Sequence, residues 1–126
     1  MTREATPQVL VVEDEMMLMM MVEDLLLAEG YHVVAAGRLQ SGIDAARARA
    51  LDAAILDINL GGESAMPLAD ALSDRGVPFM FASGYGTSIL PDRYKHCIML
   101  QKPYLPRDLL EALSRLLDSR EFDTAS

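Results

Sequence analysis

Ala53-Ala54-Ile55-Leu56-Asp57-Ile58-Asn59-Leu60-Gly61-Gly62 decides the fold of this chain. Apolar residues run directly into one carboxylate, and a glycine pair follows. An unbroken apolar run of this length reads as a strand covered on both faces, as in a parallel sheet between two helix layers. Asp57 then arrives at the C-terminal end of that strand, where the backbone leaves the sheet. In open parallel sheets, ligands bind in the crevice beyond the carboxyl ends of the strands. Nothing in a sheet requires a charge there, so Asp57 reads as a ligand or reactive group.

N-terminal to this stretch, Gln8-Val9-Leu10-Val11-Val12 is a first strand that ends in Glu13-Asp14. Residues 15–29 have helical spacing and stop at Gly30, a natural C-cap. Residues 31–36 read as a second strand, and residues 39–51 as a helix with Ile43, Ala46 and Ala50 along one side. C-terminal to it, residues 64–75 make a helix that Gly76 ends. Val77-Pro78-Phe79-Met80-Phe81-Ala82 is a fourth strand running into Ser83-Gly84-Tyr85-Gly86. Residues 87–94 are weakly helical and limited by Pro91. Residues 96–101 form a fifth strand leading to Lys102-Pro103. Pro106 suits the first turn of a final helix, whose stripe is Leu109, Leu110, Leu113, Leu116 and Leu117. Right-handed crossovers between alternating strands and helices make this an α/β fold. The expected architecture is a flavodoxin-like, doubly wound, five-stranded parallel sheet, order 2-1-3-4-5, with helices on both faces.

The 126 residues suffice for one domain with a full core, expected over about residues 8–117 between short polar termini. A hydrophobic content of 51% with 24% charged residues is ordinary for a soluble globular protein. A net charge of −8 argues against nucleic acid or an anionic membrane as partner. No apolar run reaches bilayer-spanning length, and no signal peptide precedes the first strand. Cys97 is the only cysteine, so no internal disulfide forms and a cytoplasmic location is expected. His32 and His96 lack the spacing of metal ligands, and Gly84 with Gly86 does not make a dinucleotide fingerprint.

The strand ends carry the chemistry. The first strand ends in Glu13 and Asp14, the third in Asp57, the fourth in Ser83 and the fifth in Lys102, whereas the second ends in Ala36-Gly37. In the order 2-1-3-4-5 the polar ends are neighbours and the second strand is the outlying edge. Three carboxylates at one sheet edge repel each other unless a cation sits among them. A hard divalent ion resolves this, and Mg²⁺ typically takes one or two carboxylates with waters and phosphate oxygens. Lysine adds a compact charge suited to a phosphoryl oxygen, and the Ser83 hydroxyl a hydrogen bond. Asp57 then has the setting of a carboxylate nucleophile that forms an aspartyl-phosphate, stabilised by metal and lysine rather than by a general base.

Glu13-Asp14, Asp57, Ser83 and Lys102-Pro103, at these spacings, resemble the receiver domain of bacterial two-component response regulators. The resemblance covers nearly the whole chain and implies a stand-alone phosphoacceptor rather than an enzyme. Asp57 would accept a phosphoryl group from a sensor histidine kinase or a phosphotransfer protein. Asp14, Asp57 and the backbone carbonyl of Asn59 would bind Mg²⁺ directly, and Glu13 through water. Ser83 takes the place of the family's Ser/Thr switch, Lys102 that of its lysine, and Pro103 that of a cis-proline. Signalling would pass through a phosphorylation-shifted surface around the fourth strand and the helix after it. Pro78-Phe79-Met80-Phe81-Ala82-Ser83-Gly84-Tyr85 is similar to the Phe-Ala-Thr-Gly signature of stand-alone alphaproteobacterial receivers, which are often linked to kinases of the HWE/HisKA2 type. The chain departs from the wider family in two places. Met99 stands where many receivers place an aromatic, and Gly61-Gly62 replaces the usual Pro-Gly.

The first helix is apolar on more than one face. Leu18, Met21, Val22 and Leu25 read as its inward stripe, while Met16, Met20 and Leu27 lie elsewhere. Methionine is common on adaptable binding faces. Met16 and Met20, with Tyr85, are therefore candidate partner-surface residues, and in the receiver family this helix docks against the kinase's helical bundle. Two other functions fit less well. A haloacid-dehalogenase-type phosphatase places its second Asp two residues after the nucleophile, where this chain has Asn59. An FMN module needs a Ser/Thr/Gly-rich loop where this chain has Glu13-Asp14-Glu15, which would repel the cofactor phosphate.

Overall fold

The computed structural model describes residues 6–84 and 90–125, with side chains as far as Asp118. Its elements alternate as expected: β1 (Gln8–Val12), α1 (Met16–Ala28), β2 (His32–Ala36), α2 (Leu39–Ala48) and β3 (Ala53–Asp57). A short hairpin follows, β4 (Asn59–Leu60) and β5 (Glu63–Ser64). Then come α3 (Met66–Asp74), β6 (Phe79–Ser83), a 3-10 turn at Asp92–Tyr94, β7 (Met99–Gln101) and α4 (Pro106–Ala125). The five long-range strands pair in parallel in the order β2-β1-β3-β6-β7, the expected 2-1-3-4-5 pattern.

The unbroken apolar runs have a direct cause. β3 and β6 are buried at every residue, while the edge strands β2 and β7 are half-exposed. Strand side chains alternate between faces, and both faces of the central strands are covered. Leu10, Val12, Ala54, Leu56, Phe79 and Phe81 pack on one side, together with Ala46 of α2 and Leu68 and Leu72 of α3. Val9, Val11, Ala53, Ile55 and Met80 pack on the other, with Val22 and Leu26 of α1 and Leu109 and Leu113 of α4. A charged side chain therefore has nowhere to emerge along β3 until Asp57, its last residue.

Three local readings needed correction. The helix expected over 64–75 starts only at Met66, because Asn59–Leu60 pairs antiparallel with Glu63–Ser64. Gly61 and Gly62 close that hairpin with φ of 59° and 91°, the left-handed backbone that a tight two-residue turn demands. The Ser64 hydroxyl accepts the Met66 N–H at 3.1 Å, and Pro67 occupies the first turn of α3. The helix expected to reach residue 51 ends at Ala48, where the Arg75 guanidinium donates to the carbonyls of Ala46 and Arg47. A cation on terminal carbonyls is a favourable stop for a helix. On α1 the inward residues are Met19, Val22 and Leu26, and Met21 is 62% exposed instead of buried. The run Met16-Met17-Leu18-Met19-Met20-Met21 offers apolar groups in every direction, so spacing alone could not select the inward face.

Candidate functional site: a carboxylate–lysine cluster at the strand ends

The parallel register sets Val12 beside Leu56, Asp57 beside Ala82, and Ser83 beside Gln101. The residues at and just beyond these strand ends therefore converge. The backbone holds them there: the Glu13 N–H donates to the Ala36 carbonyl at 3.1 Å, and the Lys102 N–H to the Ser83 carbonyl at 2.7 Å. The Lys102–Pro103 peptide bond is cis, as the sequence resemblance implied.

Lys102 is the centre of the cluster. Its Nζ donates to Glu13 Oε1 at 2.7 Å and to Asp57 Oδ2 at 2.9 Å. Glu13 and Asp57 are 6% and 8% exposed, so these are ion pairs drawn largely out of water. Such pairs are held in place by completed hydrogen bonding rather than by Coulomb attraction alone. The other oxygens are engaged accordingly. Glu13 Oε2 accepts the Glu15 N–H at 3.0 Å, and Asp57 Oδ1 accepts the Asn59 N–H at 3.3 Å. Asp14 is exposed, but its Oδ2 accepts the Gly61 N–H at 2.8 Å, so the β4–β5 hairpin steadies it. Asn59 belongs to the same hairpin, where its Oδ1 takes the Gly62 N–H at 2.9 Å.

Burial raises the Glu13 carboxyl above its ordinary range, and the Lys102 hydrogen bond only partly opposes this. For Lys102 itself burial acts downward, but the hydrogen bonds and charges of Glu13 and Asp57 together outweigh it and hold the ammonium above its usual value. The charges of the cluster do not balance. Carboxylate oxygens of Glu13, Asp14 and Asp57 lie within 4.8 Å of one another, and a single ammonium contacts the group. Like charges at that distance repel by on the order of 3 kcal/mol at an effective dielectric of about 20. An all-oxygen, excess-negative cluster of this kind fits a hard divalent cation such as Mg²⁺.

The structure thus brings together Glu13, Asp14, Asp57, Ser83 and Lys102, with Asn59 beside them. Ser83 is 5% exposed at the end of β6. Met16 and Met20 are apart from the cluster on α1, 76% and 56% exposed. Tyr85 lies outside the described residues. Sequence reasoning missed three features. Met17 and Met21 are also exposed, at 80% and 62%. Tyr104 lines the site next to Lys102, with its phenol pushed up by burial and then by the Glu13 charge. Finally, a groove of about 940 Å³ runs from Asp57 and Lys102 between α1 and α4, where Leu18, Met21, Val22, Leu25, Pro106 and Leu109 line it. The methionine run was the available signal for the first; the groove depends on how two helices distant in sequence are placed and has none.

A parallel sheet with this order, ending in a buried aspartate beside a lysine and two further acids, defines a receiver-type phosphoacceptor fold. The response regulator receiver domain family matches residues 9–114, and the chain belongs to that family. Its members act in two-component systems and are phosphorylated by histidine kinases or phosphotransfer proteins. The crystal structure of a CheY-like receiver domain protein from Methanospirillum hungatei JF-1 is 26% identical, with a TM-score of 0.86, over 94% of this chain and 99% of that one. The solution structure of SdrG from Sphingomonas melonis Fr1 is 37% identical, with a TM-score of 0.78, over 91% and 99%. The receiver domain of a putative LuxO repressor protein from Vibrio parahaemolyticus, 20% identical with a TM-score of 0.84, shares the fold. A search of curated proteins found no match. Among the described residues, no helix is long and apolar enough to cross a membrane.

Proposed function

We propose that this chain is a stand-alone, cytoplasmic response regulator that accepts a phosphoryl group on Asp57. The observation that carries this reading is the buried Asp57 carboxylate at the end of β3, held 2.9 Å from Lys102 and within 4.8 Å of two more acids. A carboxylate nucleophile needs no general base. An oxygen of Asp57 forms the new O–P bond as the N–P bond of a donor phosphohistidine breaks, and the bonding pair stays on the imidazole nitrogen. Glu13, Asp14 and Asp57, with the Asn59 carbonyl, would hold Mg²⁺, which when bound neutralises charge on the transferred group. Lys102 would move its hydrogen bond from Asp57 to a phosphoryl oxygen, and the Ser83 hydroxyl would donate a hydrogen bond to another.

The donor in this reading is a histidine kinase of the HWE/HisKA2 type or a phosphotransfer protein. Its support is the Phe81-Ala82-Ser83-Gly84 stretch, similar to the Phe-Ala-Thr-Gly signature of alphaproteobacterial receivers. A donor's helical bundle would dock on α1, because the apolar groove is continuous with the Asp57 site. Output would leave through the surface that follows β6. Met99 is only partly buried and pairs in register with Phe81, so Ser83 and not a ring on β7 would transmit the change.

The test is labelling by acetyl phosphate with Mg²⁺. Asp57→Asn is expected to abolish the label, and chelation of the metal to reduce it at least tenfold in the wild-type chain. Wild-type labelling of the Asp57→Asn chain at another residue would overturn the assignment.

A further inference from the structure

We propose that the methionine run on α1 is an oxidative modification site, taking two-electron oxidants such as hypochlorite or hydrogen peroxide, that switches off docking of the phosphodonor. This rests on the reading of α1 as the docking face. The chain has nine methionines, and Met16, Met17, Met19, Met20 and Met21 fall within one stretch of six residues. Four of these are 56–80% exposed, whereas Met19 is 9% exposed and Met80 fully buried. Core packing does not call for the outer four. α4 covers the same side of the sheet, and outside its apolar stripe it presents Arg107, Asp108, Glu111 and Arg115 to solvent.

A docking face built from leucine would be equally apolar and chemically inert. Thioethers are adaptable packing groups, but they also oxidise. In that step the sulfur lone pair attacks a peroxide oxygen and the O–O bond breaks. The sulfur becomes a sulfoxide, two electrons more oxidised, and the peroxide is reduced to water. The product is polar and chiral, which disrupts methionine-rich contacts, and it is reversible by methionine sulfoxide reductases. Met21 lines the groove that reaches Asp57, so sulfoxides here alter the approach to the site while its carboxylates stay unmodified.

The test treats the full chain with limiting hypochlorite and then a thiol reductant, which returns reversible oxidation products of the half-buried Cys97 but leaves sulfoxides. Mass spectrometry is expected to find sulfoxide at residues 16, 17, 20 and 21 about tenfold faster than at Met19 and Met80. The phosphodonor is a histidine kinase domain selected from a panel for its ability to label the wild-type chain. Transfer from it is expected to fall about tenfold after oxidation, with acetyl phosphate labelling kept within about twofold, and methionine sulfoxide reductases A and B to restore it. In a chain carrying Met16→Leu, Met17→Leu, Met20→Leu and Met21→Leu, the ratio of transfer before and after oxidant is expected to collapse to about one, whatever its starting rate. Oxidation of Met19 and Met80 alongside the outer four, or unchanged transfer by the oxidised chain, overturns the inference. Met16→Glu and Met20→Glu separate docking from its oxidative control. If they leave transfer intact, the docking reading falls; if they slow it while sulfoxides do not, only the oxidative switch falls.

Discussion

The two helix pairs that sandwich the sheet are finished in opposite ways. α2 and α3 close on each other. A Cβ on Gly42 would stand 2.9 Å from the Leu68 Cδ2 and 3.3 Å from Val12, so the two helices meet where only a hydrogen fits. Arg75 then ties the end of α3 to the last carbonyls of α2. Midway along α3, Asp70 takes the Tyr94 hydroxyl and two nitrogens of a forked Arg93, at 3.1 and 3.2 Å. The Tyr94 ring reaches into the core against Phe79, with centroids 5.3 Å apart. α1 and α4, by contrast, bury inner stripes yet leave a groove between them, lined by Met21 among other apolar residues of α1. Both pairs stabilise the sheet. Only the second leaves apolar surface that the fold does not use, and that surface leads to Asp57.

Substitutions break or sharpen this contrast. The largest effect on stability is expected from Gly42→Val on the closed side. Overpacking against the fully buried Leu68 should cost about 2–3 kcal/mol, read as a lower urea midpoint. An unchanged midpoint would mean that α2 and α3 are not locked as described. On the open side, Met16→Glu with Met20→Glu should change stability by less than about 0.5 kcal/mol, as exposed positions usually do. The same pair should slow transfer from a protein phosphodonor about tenfold, or ~1.4 kcal/mol, and spare labelling by acetyl phosphate. Equal loss in both assays would place the defect in the site or the fold and remove the distinction between the faces.

The smallest effect concerns the Asp70 contact. The Tyr94 hydrogen bond, and secondarily Arg93, hold the Asp70 carboxyl below its ordinary value of 3.8. Because the folded pKa is the lower one, this contribution is present above the unfolded value and is lost as pH falls through the folded value. Asp70→Asn should therefore flatten the acid limb of a stability-against-pH curve below about pH 4. Asp70 is half-exposed, so solvent screening keeps the difference from wild type under about 1 kcal/mol. Identical acid limbs would show that the polar closure of α3 onto Tyr94 adds nothing beyond the packing of its ring.

Much of this was legible in the residues alone. The apolar runs around Val9, Ile55 and Phe81 could only be strands covered on both sides, because burial on two faces removes the polar alternation of a one-sided sheet. Once strands and helices alternated, handedness followed, and in the expected order 2-1-3-4-5 Glu13, Asp14, Asp57, Ser83 and Lys102 meet at one edge. What only the tertiary structure decided depends on relations between elements distant in sequence. The inward face of α1 was ambiguous because methionines point in all directions, and packing against Val9 and Val11 chose Met19, Val22 and Leu26. The pairing of Lys102 with both Glu13 and Asp57 is a matter of distance across 89 and 45 residues. Spacing along a chain reports which side chains share a face of one element. The groove between α1 and α4 is set by side-chain volumes on opposing elements, which no periodicity encodes.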